Sequence, residues 1–253
     1  MNWDHAIEII RPHIVKIETP SGYGTGFLSL YNYNKAWCGI ATAAHVVRHS
    51  DQWQEPIRIM HQPSNTSVFL KEEERVVLID DQTDSAMVIF FKGQLQLPEF
   101  PIALLQMEQP CGIGLDVGWL GFPAIEQNTL CFFAGTISAR QPTRKAYLID
   151  GVAINGVSGG PVFHCPTPEN PDDVQIIGTI SAYHANRVTG ETLPGLLRAQ
   201  DVSHFHGVAK YIQSIDEANA KKREFEAQQK EKAVAAAGGD GGAIESHAKD
   251  ATV

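Results

Sequence analysis

The chain has 253 residues, enough for one large domain or two small ones. With 43% hydrophobic and 19% charged residues, its composition excludes an intrinsically disordered protein. The formal net charge of −9, without any basic stripe, argues against nucleic acid as a partner.

The sequence shows no signal for export or for a membrane. Charges interrupt the apolar N-terminal stretch, so no signal peptide is predicted, and no apolar run reaches the ~18 residues of a membrane span. The cysteines Cys38, Cys111, Cys131 and Cys165 form no C-x-x-C pair, which favours neither disulfides nor a zinc site. We expect a cytoplasmic protein with reduced thiols, no metal, no cofactor and no membrane association.

The predicted elements begin with a short amphipathic helix over the first dozen residues, which ends at Pro12. Short strands follow, separated by Gly, Pro and Asn turns. The strand candidates are residues 13–19, 24–30, 38–46, 55–60, 67–71, 74–80, 85–91, 115–122, 130–139, 145–150, 159–164, 174–184 and 205–212. Their spacing of roughly ten residues predicts an all-β sandwich or barrel, and two halves of about six strands fit the count.

The pattern changes after residue 215. Residues 216–236 are rich in Ala, Glu, Lys and Gln and contain neither Pro nor Gly, which predicts a solvated helix. Residues 237–253 are rich in glycine and alanine and predict a flexible tail. The folded domain is therefore expected to span residues 1–215.

Three short segments carry candidate chemistry. Around Ser158, Gly156 and Gly159 allow a sharp turn whose N–H groups can converge on one point, as an oxyanion hole requires. His45 ends a predicted strand, where a neutral imidazole can act as a general base. Asp84 precedes an apolar strand and can accept the Nδ1–H of that imidazole. Taken singly, each segment also fits a structural role: a Gly-rich hairpin, a structural histidine or a turn aspartate.

Taken together, three segments resemble the signature segments of trypsin-like serine peptidases, in the chain order His, Asp, Ser. They are residues 42–46, 83–88 and 156–162. Residues 177–183 are similar to the strand that lines the substrate cleft, and residues 205–209 to the strand before the terminal helix. The resemblance covers about residues 10–215 and is closer to the compact bacterial, HtrA-like branch without a PDZ domain.

This resemblance implies two packed six-stranded antiparallel β-barrels, roughly residues 10–105 and 106–215, with the active site between them. It also implies serine endopeptidase activity, in which Ser158 is the nucleophile, His45 the general base and Asp84 the residue that orients His45. The N–H groups at positions 156 and 158 would hold the oxyanion.

The chain departs from digestive trypsins before the nucleophile, where Val157 replaces an aspartate, and it lacks an Ile-Val-Gly-Gly start. Activation by N-terminal clipping is therefore not expected, and the order of the oxyanion loop must come from packing or from a bound partner. The substrate pocket is assigned to Val152, Asn155, Ser181 and Tyr183. Because Val152 is no acid, a preference for Lys or Arg at P1 is not expected. Val152 and the bulk of Tyr183 favour a small to medium apolar P1 residue.

Other interpretations stay open. The same fold could serve as a catalytically inactive binding or scaffold module, for which Val157 is the argument. An α/β-hydrolase esterase fits residues 156–160 literally, but Pro161 contradicts the helix expected after its serine, and His45 precedes the serine. A purely structural β protein would leave the three segments as a coincidence. As partners we expect a protein or peptide substrate, with one dedicated partner protein as a further hypothesis.

Overall fold

The computed structural model describes residues 3–152, 154–165, 173–188 and 191–238, without the side chains of residues 183–195 and 233–238. The chain divides into two compact units, residues 1–211 and residues 212–253. None of the helices among the described residues combines the length and the hydropathy of a membrane span.

The described residues form three α-helices and thirteen strands. The helices are α1 (Asp4–Ile10), α2 (Ala44–Gln52) and α3 (Ser203–Gly238). The strands are β1 (Ile14–Thr19), β2 (Gly22–Tyr31), β3 (Trp37–Ala43), β4 (Ile57–His61), β5 (Thr66–Leu70), β6 (Arg75–Asp80), β7 (Ser85–Phe91), β8 (Asp116–Gly121), β9 (Cys131–Gln141), β10 (Ala146–Asp150), β11 (Pro161–His164), β12 (Gln175–Val188) and β13 (Glu191–Asp201).

Strands β1 to β7 form one antiparallel sheet in the order β5-β4-β1-β2-β3-β7-β6. Alternate side chains point inward, so aliphatic residues such as Val15, Ile17, Ile40 and Val88 build a core against which Val47 of α2 packs. All seven strand candidates in this half of the sequence join the sheet, one more than the six strands that the family resemblance implied.

Strands β8 to β13 close into a six-stranded barrel in the order β10-β13-β12-β11-β8-β9. Trp119 is fully buried and stacks on Phe133, with ring centroids 6.0 Å apart. Gly151 lies so close to the Trp119 ring that a Cβ there would overlap it. The predicted all-β fold with an N-terminal helix and a C-terminal helix is confirmed. Of the two barrels that the family resemblance implied, the second closes in the described residues, whereas β1 to β7 form a seven-stranded sheet that is not a closed barrel.

Strands β1 and β2 contact β8 of the barrel, and two aromatic pairs join β2 to α3 and the segment before α1 to β11. Phe27 of β2 packs edge-on against Phe205 of α3, with centroids 5.9 Å apart. Trp3, just before α1, packs in the same way against Phe163 of β11 at 5.7 Å.

The prediction of a strand at residues 205–212, and the likeness of residues 205–209 to a strand, are wrong. These residues begin helix α3, where Phe205 and Val208 are buried at the three-residue spacing of a helix face. Asp201 accepts the backbone N–H of Ser203 at 3.0 Å and so caps the helix start.

Two elements were not predicted. Strand β13 contains Pro194 and Gly195, which are typical of strand ends and turns. Helix α2 follows β3 without a turn residue, so His45 lies in the first turn of a helix and not at the end of a strand. At the C-terminus, α3 includes the predicted helix, residues 216–236, while the predicted tail lies outside the described residues from position 239 on.

Candidate active site

Asp84 holds the start of helix α2. Its Oδ2 accepts a hydrogen bond from Nδ1 of His45 at 2.8 Å, and its Oδ1 accepts the backbone N–H of His45 at 3.0 Å. Its carbonyl accepts the N–H of Ala44 at 2.9 Å. Because the N-cap residue Ala43 makes no side-chain hydrogen bond, the carboxylate of Asp84 supplies the helix cap. With Nδ1 donating to a carboxylate, Nε2 of a neutral His45 is left as an acceptor.

The register of two strands brings these side chains together. Ala43, the last residue of β3, lies opposite Ser85, the first residue of β7. His45 follows β3 by two residues and Asp84 precedes β7 by one. Because the two strands are antiparallel neighbours, both residues lie at the same end of this strand pair. Asp84 has a left-handed backbone with φ of +48°, which aspartate tolerates better than most residues.

The neighbouring carboxylates, Asp80 and Asp81, were competing candidates for this role. Asp80 caps its own turn, where its Oδ1 accepts the N–H of Gln82 at 2.9 Å. The side chain of Asp81 is 78% exposed and forms an ion pair with Arg48. The carboxylate that contacts His45 is that of Asp84.

Residues 154–160, called the nucleophile loop after the role predicted for Ser158, carry this serine between two glycines with left-handed backbone. Gly156 has φ of +91° and Gly159 has φ of +84°. A Cβ at either position would also overlap a neighbouring backbone carbonyl. Both the conformation and the lack of space therefore require glycine.

Ser158 lies against β2, beside the segment that carries His45. The N–H of Thr25 donates to the carbonyl of Ser158 at 2.8 Å. A Cβ at Gly24 would lie 3.0 Å from that same carbonyl and 2.6 Å from the side chain of Val46. Since Val46 follows His45 directly, a single glycine separates the serine segment from the histidine segment.

The five backbone N–H groups from Gly156 to Gly160 fall into two sets. Three of them donate within the protein: Val157 to Ile154 at 3.1 Å, Gly159 to Ile180 at 2.7 Å and Gly160 to Val157 at 2.9 Å. Among the described residues, no backbone acceptor takes the N–H of Gly156 or of Ser158. Two unengaged N–H groups on one tight turn are suited to bind an oxygen that becomes negatively charged during a reaction.

Two of the predicted pocket residues follow strand β10, and the other two lie within strand β12. Val152 follows β10 and is 59% exposed, and Asn155 is exposed in the nucleophile loop. Ser181 is buried at an irregularity of β12, and Tyr183 pairs with Leu197 of β13. The side chain of Tyr183 lies outside the described residues. Strand β13 pairs with β10 on one side and with β12 on the other. Val152, which follows β10, is therefore separated by one strand from the stretch of β12 that carries Ser181 and Tyr183.

The sequence did not predict a buried lysine, Lys16, whose neighbour Tyr23 lies next to the nucleophile loop. The Lys16 side chain is 5% exposed, pairs with Glu18 at 2.9 Å and lies 4.7 Å from the ring centroid of Tyr23. That ring would lie 2.7 Å from a Cβ at Gly156. Burial acts to raise the pKa of Glu18, but the hydrogen bonds and charges of Lys16 and Arg58 outweigh it, so that pKa lies below its usual range. A lysine amid apolar residues of β1 was the signal that could have revealed this group.

One family of known proteins matches the sequence. Residues 24–167 match the family described as trypsin-like peptidase domain. No protein with a curated function matches the sequence.

Several solved structures share the fold. The serine endoprotease from Yersinia pestis is 17% identical with a TM-score of 0.59, over 85% of this chain and 67% of that one. Deg5 is 18% identical with a TM-score of 0.55, over 78% and 87%. Rv3671c from M. tuberculosis, an inactive form carrying a serine-to-alanine mutation, is 17% identical with a TM-score of 0.54, over 82% and 90%.

The solved structures support only the fold, because their sequence identity to this chain is low. The family match covers more than half of the chain and includes the segments of His45, Asp84 and Ser158. The chain therefore belongs to the trypsin-like peptidase family.

Proposed function

We propose that this protein is a serine endopeptidase that cleaves peptide bonds through an acyl-enzyme on Ser158. The observation that carries the proposal is the imidazole of His45, which Asp84 orients by a 2.8 Å hydrogen bond, beside a serine loop with two unengaged N–H groups. Family membership supports peptidase chemistry in general, and these contacts support the individual roles.

In the acylation step, Oγ of Ser158 attacks the carbonyl carbon of the scissile bond while its proton passes to Nε2 of His45. The carbonyl oxygen becomes an oxyanion and accepts hydrogen bonds from the N–H groups of Gly156 and Ser158. The carboxylate of Asp84 stabilises the imidazolium. When the tetrahedral intermediate collapses, the C–N bond breaks and His45 gives its proton to the departing amine.

Deacylation repeats these steps with water as the nucleophile. Water attacks the ester carbon and loses a proton to Nε2 of His45, and the same two N–H groups hold the second oxyanion. The ester C–O bond then breaks, Oγ of Ser158 takes the proton back from His45, and the new carboxylic acid leaves.

For the substrate, we propose a small to medium apolar P1 residue, since Val152 offers no negative charge to a basic side chain. A peptide library that varies only P1 tests this, and fastest cleavage after Lys or Arg would contradict it. We also propose that cleavage is directed at a dedicated partner protein. Broad degradation of unfolded casein by the purified protein would argue against that second point.

The decisive experiment is labelling of the purified protein with a fluorophosphonate probe, compared with a Ser158→Ala variant. We expect labelling of the wild type and none of the variant, because the probe reacts only with a serine that has both an activating base and an oxyanion site. Absence of labelling and of peptide hydrolysis in the folded wild type would favour the inactive binding or scaffold module instead.

A further inference from the structure

We propose that Thr25 of β2 is the residue that positions the nucleophile loop, so that the oxyanion site is held open by the body of the protein. This inference rests on the proposed function and assigns Thr25 as a positioning residue, since it touches the loop and not the substrate. It addresses what keeps the loop ordered when Val157 occupies the place before the serine.

All polar groups of Thr25 form hydrogen bonds. Two of the four bonds connect β2 to the nucleophile loop, and a third connects β2 to Phe122, the residue after β8. Its N–H donates to the carbonyl of Ser158 at 2.8 Å. Its hydroxyl donates to the carbonyl of Gly156 at 2.9 Å and accepts the N–H of Phe122 at 3.1 Å. Its carbonyl accepts the hydroxyl of Thr42 at 2.7 Å. Thr25 is fully buried, so water does not compete for these bonds.

Thr25 holds the peptide units on either side of the unit that carries the N–H of Ser158, and the carbonyl of that middle unit, from Val157, accepts the N–H of Gly160 at 2.9 Å. In a planar trans peptide the C=O and the N–H point in opposite directions. The carbonyl of Asn155 accepts the N–H of Ala124 at 2.7 Å, and the N–H of Gly156 belongs to the same peptide unit. Rotation of that unit would break the bond from Ala124 and would strain the next one, where Thr25 holds the carbonyl of Gly156.

Packing also restricts the conformation of the nucleophile loop, and the residue before the serine, Val157, is uncharged. This residue is fully buried, and its side chain would lie 2.8 Å from a Cβ at Gly121. No charged partner is needed there, because neutral hydrogen bonds from Thr25 and Ala124 hold the loop carbonyls.

The first test compares Thr25→Val with Thr25→Ser, and with Ser29→Ala as the matched control. Valine keeps the shape of threonine but loses the hydroxyl, whereas serine keeps the hydroxyl. Ser29 is also buried on β2, but its hydroxyl has no partner in the described part of the chain. We expect Thr25→Val to lower kcat and the fluorophosphonate labelling rate by about 10- to 100-fold with KM little changed. This is less than the ~10²- to 10³-fold loss when an oxyanion donor is removed, because both N–H groups stay and only their support is lost. Thr25→Ser and Ser29→Ala should stay close to wild type.

A second variant covers the case in which Thr25→Val does not fold. Ala124 is the first residue of a short 3-10 helix, and Pro123 before it has φ of −70° and ψ of 148°, so proline fits at position 124. Ala124→Pro removes only the N–H that holds Asn155, while Ala124→Ser keeps it. We expect Ala124→Pro to lose labelling and Ala124→Ser to retain it.

Hydrogen exchange separates this inference from the proposed function. In the wild type the amides of Val157, Gly159 and Gly160 should exchange slowly, and Thr25→Val should accelerate them whether or not the protein is an active peptidase. A wild type without activity but with this change would overturn the proposed function and keep Thr25 as the positioning residue. Unchanged exchange and labelling in Thr25→Val, or equal losses in Thr25→Val and Thr25→Ser, would overturn the inference.

Discussion

At the scale of single residues, Asp84 has two separable functions. One carboxylate oxygen caps helix α2 through the backbone N–H of His45, and the other orients the imidazole. An asparagine at this position keeps one acceptor oxygen but replaces the other with an NH2 group. The cap can therefore survive while the hydrogen bond to Nδ1 is lost.

We predict that Asp84→Asn lowers kcat for peptide hydrolysis by about 10³- to 10⁴-fold, because the imidazole then prefers the tautomer that cannot accept a proton from the serine. The melting temperature should change little. The matched control is Asp81→Asn, since Asp81 is exposed and pairs with Arg48. Steady-state kinetics on both variants check this, and equal activity of Asp84→Asn and the control would contradict the assigned role.

At the scale of elements, a glycine is required in the nucleophile loop but weakens helix α3. Gly159 has a left-handed φ of +84° and no room for a Cβ. Gly207 lies in α3, where a Cβ would have no heavy atom within 4 Å. The same substitution should therefore destabilise one element and stabilise the other.

We predict that Gly159→Ala lowers the free energy of unfolding by at least ~2 kcal/mol and abolishes fluorophosphonate labelling, through strain and overlap with β2. Gly207→Ala should raise the free energy of unfolding by about 0.5–1 kcal/mol, because alanine restricts the unfolded chain and favours the helix. Urea unfolding of both variants measures the two effects. A stable, labelled Gly159→Ala protein would show that the loop conformation differs from the one described.

At the scale of the whole molecule, burial of histidines links stability to pH. Burial lowers the pKa of four imidazoles in the described residues, namely His13, His61, His164 and His204. A lowered pKa means that the unfolded chain binds protons that the folded protein refuses. Their contribution is therefore fully present above the ordinary histidine pKa of about 6.5 and is lost as the pH falls through the folded values.

We predict that the melting temperature falls between pH 7 and pH 5, and that His164→Phe reduces this slope. His164 is 6% exposed, and neither ring nitrogen has a hydrogen-bond partner in the described part of the protein, so phenylalanine fills its place without losing a bond. His49→Gln serves as control, because the His49 side chain is 55% exposed. Scanning calorimetry across this pH range measures the melting temperature of each protein. The same dependence of melting temperature on pH in the wild type and in His164→Phe would show that burial of His164 does not contribute to it.

Sequence patterns predicted the strands well where local signals were strong. Twelve of the strand candidates correspond to strands of the structure, because alternating or continuous apolar runs between turn residues report burial directly. Residues 205–212 were assigned to a strand because their apolar content hid a helical spacing. Strand β13 was missed because its Pro194 and Gly195 oppose a strand locally, and pairing with β10 and β12 overrides them.

The sequence by itself determined the all-β class, the candidates His45, Asp84 and Ser158, and the need for glycine beside the serine, since each depends on residue type and local spacing. Only the tertiary structure decided that Asp84, and not Asp80 or Asp81, contacts His45, because the register of β3 with β7 sets that distance. The role of Thr25 was equally invisible, because its hydroxyl meets Gly156 across 131 residues of chain. Hydrogen bonds between distant segments depend on how the two β-structures pack, and no local pattern encodes that packing.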